Sequence, residues 1–214
     1  MTGKIKKFLI RSFLLLFPIV AQASGFEGTI TLVKQTYYDT TFYTYLVADG
    51  KIRIEEYNSK KNLQNVYIIN TNNNQVLIIN PGRKIYTKLN SKLQENAEEK
   101  TFTITKSTNS KIINGITCYQ WRVKNRDKNT EISYWVTQND FDFFEKMVKI
   151  LNHTDRSWEF FNHIPQTQGY MPMLSVERNL VRDEKMRTSV IEINRRNIDT
   201  SIFKVPTDYK LCAM

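Results

Sequence analysis

Few residues of this chain have the types and spacing that acid–base, nucleophilic or metal chemistry requires. The 214 residues include two histidines, His153 and His163. They lie ten positions apart in a segment with helical periodicity, so they do not face one another at ligand distance. No third ligand accompanies them, although a catalytic zinc ion needs three protein ligands. We therefore expect no metal site.

The sequence also contains few candidate residues for nucleophilic catalysis or phosphate binding. Cys118 could act as a nucleophile, but it lies in a strand-like run between Thr117 and Tyr119, without a strand-to-helix turn. Glu55 and Glu56 are adjacent, so on a strand they lie on opposite faces. The chain has seven glycines and no glycine-rich phosphate loop. We predict no catalytic residue, no cofactor and no enzyme activity.

The amino terminus has the three parts of a secretory signal. Basic residues come first, an apolar run follows over residues 12–20, and small residues stand at Ala21 and Ala23. The run is shorter than the roughly 20 residues that cross a bilayer. This predicts a cleaved signal peptide over residues 1–23, a periplasmic location, and a soluble product without a membrane span. No cysteine lies near the cleavage point, so we expect no lipid anchor.

The net charge of the chain limits the classes of partner that it could bind. The formal net charge is +10, and four of the 31 basic residues fall in the predicted signal peptide, which leaves +6 for the rest. A basic surface favours anionic partners, and an exported protein meets lipid head groups and polysaccharides rather than nucleic acid. No dense basic tract of the kind that binds phosphate backbones occurs. A solubilising surface charge without a partner is the simpler explanation of the balance.

Two cysteines leave two alternatives open. In an oxidising compartment Cys118 and Cys212 could form a disulfide that closes a long loop. Alternatively, Cys118 is buried on a strand and Cys212 lies near the carboxyl terminus. The sequence does not decide between them, because it does not give the distance between the two Cα atoms.

Alternating apolar and polar residues dominate the chain after residue 25. Short strand-like runs are separated by turn signals such as Asp49–Gly50, Pro81–Gly82 and Asn114–Gly115. From Asp140 the apolar residues recur at helical spacing up to Leu151. Hairpins joined by short turns cannot build a parallel sheet. The pattern predicts an α+β fold, a single curved antiparallel sheet with helix packed on one face.

Six segments along nearly the whole of the later chain resemble a known family: FEGTIT (26–31), DGKIRIEEY (49–57), QVLIINPGRKIYTKL (75–89), INGITCYQWRV (113–123), EISYWVT (131–137) and IDTSIFKVPTDYK (198–210). In this order they resemble exported domain-of-unknown-function proteins with a LolA/LppX-like half-barrel, the superfamily of outer-membrane lipoprotein carriers. The resemblance implies one domain over residues 24–214, a curved sheet with helices packed on its concave face. In related carriers that concavity holds lipid or acyl chains.

Two functions follow as hypotheses. The first is a periplasmic protein that binds a lipid or acyl chain in the half-barrel cavity, in envelope lipid or lipoprotein handling. Its expected cavity lining comprises Phe141, Phe144, Met147, Val148 and Trp135. The alternative is an envelope protein-interaction or sensor module with a filled core and a protein partner.

Overall fold

One large sheet organises the molecule. The computed structural model describes residues 25–90, 101–151 and 156–212. Within them the chain forms twelve strands: β1 (Gly28–Thr36), β2 (Thr40–Ala48), β3 (Lys51–Tyr57), β4 (Leu63–Asn70), β5 (Gln75–Asn80), β6 (Ile85–Asn90), β7 (Phe102–Ile113), β8 (Ile116–Asn125), β9 (Thr130–Gln138), β10 (Tyr170–Arg178), β11 (Glu184–Arg195) and β12 (Lys210–Leu211).

The strand order is β12-β6-β5-β4-β3-β2-β1-β11-β10-β9-β8-β7. Most neighbouring strands are also consecutive in the chain and form hairpins, as the turn signals predicted. At the β2–β3 turn Asp49 and Gly50 have φ values of 49° and 67°, which is the left-handed backbone that such a two-residue turn requires. The prediction of a single sheet is confirmed, and its strands are antiparallel except at β12.

Two pairings were not predicted. β1 pairs with β11 and so joins strands β1–β6 to strands β7–β11, while β12 lies parallel to β6 at the outer edge. The β1–β11 seam is tight at Gly28, where an added Cβ would stand 2.2 Å from the carbonyl oxygen of Asn194. The polar, Glu- and Lys-rich sequence of residues 89–100 predicts a short surface helix or loop; its first two residues belong to β6, and residues 91–100 lie outside the described part.

The curvature of the sheet follows from the reach of the chain. β6 and β7 are ten strand spacings apart, which would be roughly 48 Å in a flat sheet. Residues 91–101 alone connect them, and a fully extended chain of that length covers at most about 40 Å. The sheet must therefore be curved, because only curvature brings its two edges within this reach.

A helical segment between β9 and β10 covers one face of the sheet. It contains helix α1 (Asp142–Ile150), helix α2 (Arg156–Glu159) and a 3₁₀ turn (Phe160–His163); we call residues 141–151 and 156–164 the helical cover. Its large apolar side chains form one buried cluster with β1–β5 and β8–β11. The amphipathic helix predicted from Asp140 is thus present and starts at Asp142.

The opposite face of β2–β6 has a separate and smaller core. The C-terminal segment, residues 196–212, packs there through Ile198 and Phe203. Two hydrogen bonds fix it: Arg53 Nη1 donates to the carbonyl of Ile202 at 3.0 Å, and the backbone N–H of Ile198 donates to Glu27 Oε1 at 2.9 Å.

Candidate ligand-binding site

Four of the predicted lining residues lie together in the interface between the helical cover and the sheet. Phe141, Phe144, Met147 and Val148 are each at most 1% exposed. The ring of Phe144 packs edge-on against Trp158, with centroids 5.2 Å apart. These side chains form packed core, and whether a ligand reaches them stays a prediction.

Trp135 lies at the margin of the same cluster. It is half-buried on β9, and the ammonium group of Lys111 stands 4.2 Å from its ring centroid. Its predicted role in a ligand site likewise remains a prediction.

The disulfide considered as one alternative does not form in this structure. Cys118 is fully buried on β8, whereas Cys212 is exposed beside β6, where its N–H donates to the carbonyl of Tyr86. Both cysteines are free in the structure, and β8 and β6 stand nine positions apart in the sheet order. Burial raises the pKa of the Cys118 thiol, which disfavours the nucleophilic thiolate.

Of the two histidines considered as metal ligands, His163 lies in the described part of the chain. The imidazole of His163 stacks on Phe102 of β7, with centroids 3.8 Å apart, while His153 lies outside the described residues. In the described part of the chain, no group of three or more histidine, cysteine or acidic side chains could hold a metal ion.

A row of polar side chains crosses the covered face. Cross-strand register places Tyr134 of β9 opposite Ser175 of β10, Ser175 opposite Thr188 of β11, and Thr188 opposite Lys34 of β1. Residues directly opposite share a face, with Cβ atoms about 5 Å apart. Tyr134, Ser175 and Thr188 are at most 4% exposed. We call these four residues the polar row; it runs from the core to a lysine.

Two buried polar atoms on this face are unsatisfied. Thr188 Oγ1 and Trp158 Nε1 have no hydrogen-bond partner among the described residues. An unpaired buried donor or acceptor costs about 1–3 kcal/mol, so buried polar groups nearly always have a partner, whether protein, water or a bound ligand. Both atoms could bond a polar group that enters beneath the helical cover.

A groove opens at the lysine end of the polar row. It has an empty volume of about 560 Å³, part of it open to solvent, and is lined by Lys34, Tyr43, Tyr45, Ile54, Glu56, Tyr67 and Leu151. We call it the tyrosine groove. Leu151 ends the first helix of the cover, while the other residues come from β1–β4. Its walls combine three tyrosine rings and two aliphatic side chains with two charged groups, Lys34 and Glu56.

The opposite end of the row fixes the helical cover. In the same register Trp121 lies opposite Tyr134, and Lys106 of β7 lies opposite Trp121. Lys106 Nζ donates to the carbonyl of Pro165 at 2.6 Å and stands 4.1 Å from the Trp121 ring centroid. The lysine of β7 therefore secures the segment after the cover, and the lysine of β1 faces the groove.

Sequence reasoning found the cover but missed the groove and the polar row. The period-two placement of Tyr43 and Tyr45 puts both rings on one face of β2, which is a signal that the sequence contains. The row has no such signal, because it depends on the β1–β11 pairing between residues about 150 positions apart.

These features define a class of fold: an open, curved antiparallel sheet with a helical insertion on one face, the LolA-like half-barrel that the sequence resembles. Two solved structures share it. An uncharacterized conserved protein from Thermus thermophilus aligns with a TM-score of 0.55 and 8% identity, over 88% of this chain and 91% of that one. The MucA/MucB complex of Pseudomonas aeruginosa aligns with a TM-score of 0.51 and 9% identity, over 87% and 58%.

The sequence itself shows which family the chain belongs to. Residues 26–209 match the domain of unknown function DUF4412, and the chain belongs to this family. Comparison with curated protein sequences finds no significant match. The chain spans less than two thirds of the chain that it matches in the MucA/MucB complex.

Among the described residues, no helix combines the length and apolar character that crossing a bilayer demands. The predicted signal peptide lies outside those residues.

Proposed function

We propose that this protein binds an amphipathic lipid or acyl chain without chemical conversion, at the tyrosine groove and the polar row. The observation that carries the proposal is the buried, unsatisfied hydroxyl of Thr188 in a row that ends at Lys34. An anionic head group would accept from the ammonium group and the hydroxyl. The acyl chain would lie against the tyrosine and aliphatic side chains of the groove.

The covered face is, on this proposal, the concave face of the half-barrel. The helical cover contacts distant parts of the sheet at once: Phe160 packs edge-on against Phe102 of β7 at 5.1 Å, while Leu151 lines the groove with Tyr67 of β4. β4 and β7 are eight spacings apart in the sheet order. A short segment reaches both more easily across a concave surface.

The location proposed is the periplasm. The predicted signal peptide over residues 1–23 supports export, and an envelope compartment supplies lipids as ligands. Handling of envelope lipids or lipoproteins would be the corresponding role.

Lipid capture tests the proposal directly. Native mass spectrometry of the gently purified protein should show co-purifying lipid, or uptake of an added long-chain fatty acid. Lys34→Met should weaken fatty-acid binding roughly 10- to 100-fold, because a hydrogen bond to a charged group contributes about 1.5–3 kcal/mol. Lys88→Met, at an exposed position of β6, is the matched control and should bind normally.

A protein that neither carries nor takes up lipid, or an equal loss in both variants, would contradict the proposal. A charged substitution at Phe144 or Met147 would be a poor test. Both side chains are fully buried, and an unpaired charge there would unfold the protein whatever it binds.

The second candidate is a protein-interaction module on the same scaffold. The tight packing of the four predicted lining residues in the helical cover favours it, since a filled core needs no ligand. The fold likeness to the MucA/MucB complex agrees with it. Cross-linking that recovers one stable protein partner from a lipid-free sample would decide for this candidate.

A further inference from the structure

The two ends of the strands differ in charge. Five turns lie at one end: residues 37–39, 58–62, 81–84, 126–129 and 179–183; we call them the basic edge. They contain seven lysines and arginines against three aspartates. The turns at the other end, residues 49–50, 71–74 and 114–115, contain one aspartate and no basic residue.

Three large apolar or aromatic side chains are exposed on the basic edge. Tyr37 is 71% exposed, Tyr38 98% and Val181 75%. They belong to neighbouring turns, because β1 pairs with β11 and Thr36 lies opposite Met186 at this end. Scattered exposed apolar residues are ordinary, but here they coincide with the basic turns.

The turn at residues 37–39, which we call the tyrosine turn, is fixed by its own hydrogen bonds. The backbone N–H of Thr36 donates to the carbonyl of Asp39 at 2.9 Å, and the N–H of Asp39 donates to Thr36 Oγ1 at 3.1 Å. The rings of Tyr37 and Tyr38 pack edge-on with centroids 6.5 Å apart. These bonds fix a turn that presents both rings to solvent.

Part of the positive charge is available to a partner. Lys60, Arg83 and Arg126 make no ion pair with the described residues. In contrast, Lys84 pairs with Asp208 at 2.8 Å and Lys128 with Glu159 at 2.7 Å.

We propose that the basic edge docks on an anionic lipid bilayer, with Tyr37 and Tyr38 at the level of the head groups. Tyrosine is enriched at that level because its ring is apolar and its hydroxyl polar. Basic residues near an anionic membrane each add about 1 kcal/mol of attraction. Exposed tyrosines surrounded by basic turns supply both contributions.

The edge also adjoins the proposed ligand site. Lys34 and Tyr43 line the tyrosine groove and lie on β1 and β2, within a few residues of the tyrosine turn. Docking would place the groove next to the lipid surface. This step rests on the proposed function, whereas docking itself does not.

Vesicle co-sedimentation tests the docking with the purified protein. The protein should sediment with phosphatidylglycerol-containing vesicles at low salt, much less at high salt, and weakly with pure phosphatidylcholine. Lys60→Gln combined with Arg126→Gln should reduce the binding constant roughly 25-fold, about fivefold for each charge. Tyr37→Ser combined with Tyr38→Ser should weaken binding at every salt concentration and leave the salt dependence unchanged.

Lys146→Gln combined with Arg196→Gln is the matched control. Both are exposed basic residues away from the basic edge, and the net charge falls equally. An equal loss in this pair would show nonspecific attraction and overturn the proposal. So would a wild-type protein that does not sediment with anionic vesicles, or one whose Tyr37 and Tyr38 mediate self-association in analytical ultracentrifugation.

Fatty-acid uptake from vesicle-free solution separates the two proposals. Uptake without vesicle binding would overturn docking alone, and vesicle binding without uptake would overturn the proposed function alone.

Discussion

The two faces of the sheet are covered in different ways. The covered face carries a large cluster rich in phenylalanine, methionine and tryptophan, with a polar row inside it and a groove at its margin. The other face has a small core of mainly aliphatic side chains beneath the C-terminal segment. Arg53 of β3 pairs with Glu55 on its own strand at 2.8 Å and donates to the Ile202 carbonyl of that segment at 3.0 Å.

The covered face has packing that can adapt to a ligand, whereas the packing on the C-terminal face is fixed. Methionine and aromatic side chains can rearrange around a guest, and unsatisfied polar atoms give the guest something to bond. The C-terminal face has mainly aliphatic side chains, and Arg53 and Glu27 hold the C-terminal segment there by hydrogen bonds. Among the described residues, the face with the helical cover combines adaptable side chains, unsatisfied polar atoms and a groove.

The largest contrast should appear when one phenylalanine is truncated on each face. Phe144→Ala should lower the free energy of unfolding by about 3–5 kcal/mol, because a fully buried ring leaves a cavity among other rings. Phe203→Ala should cost less, since Phe203 is 7% exposed in the smaller cluster. Denaturant unfolding measures both, and equal losses would show that the two cores are equivalent.

A second, smaller contrast concerns two buried threonines. Thr188→Val removes a hydroxyl without a partner among the described residues, so the free energy of unfolding should stay the same or rise by about 1 kcal/mol. Thr130 Oγ1 donates to the carbonyl of Lys128 at 2.9 Å, so Thr130→Val should lower it by about 1 kcal/mol. Denaturant unfolding of both variants tests this contrast. A clear fall in the free energy of unfolding for Thr188→Val would mean that the Thr188 hydroxyl already has a hydrogen-bond partner.

Thr188→Val should also weaken fatty-acid binding. Stabilisation with loss of binding is the pattern of a residue retained for function. Unchanged binding would remove Thr188 from the proposed site.

A further contrast is a pH dependence that arises on the C-terminal face. Burial, and a hydrogen bond of 2.6 Å from the hydroxyl to Glu55 Oε2, raise the pKa of Tyr57 to about 12. The unfolded chain releases this proton near pH 10. The stabilisation is therefore complete below about pH 10 and is lost as the pH rises towards about 12.

Unfolding free energies over that alkaline range should fall less steeply for Tyr57→Phe than for the wild type. Tyr37→Phe, at an exposed turn, should behave like the wild type. Parallel curves for all three proteins would contradict the assignment to Tyr57.

The sequence predicted the local features and missed those that depend on distant strands. Hairpins such as β2–β3 follow from alternation and from Asp49–Gly50, and α1 follows from the spacing of its apolar residues. The polar row could not be predicted from the sequence, because Thr188 lies opposite Lys34 only through the β1–β11 pairing. The predicted lining came from apolar crowding, which marks a packed core as readily as a cavity.

The β1–β11 seam also has a consequence for how the chain folds. β1 is made early, but the strand that pairs with its outer side comes about 150 residues later. Contacts between such distant segments slow folding, and until β11 arrives one side of β1 offers unpaired backbone groups to other chains. We therefore expect the two halves of the sheet to join only after β11 has been made, which should make folding slow.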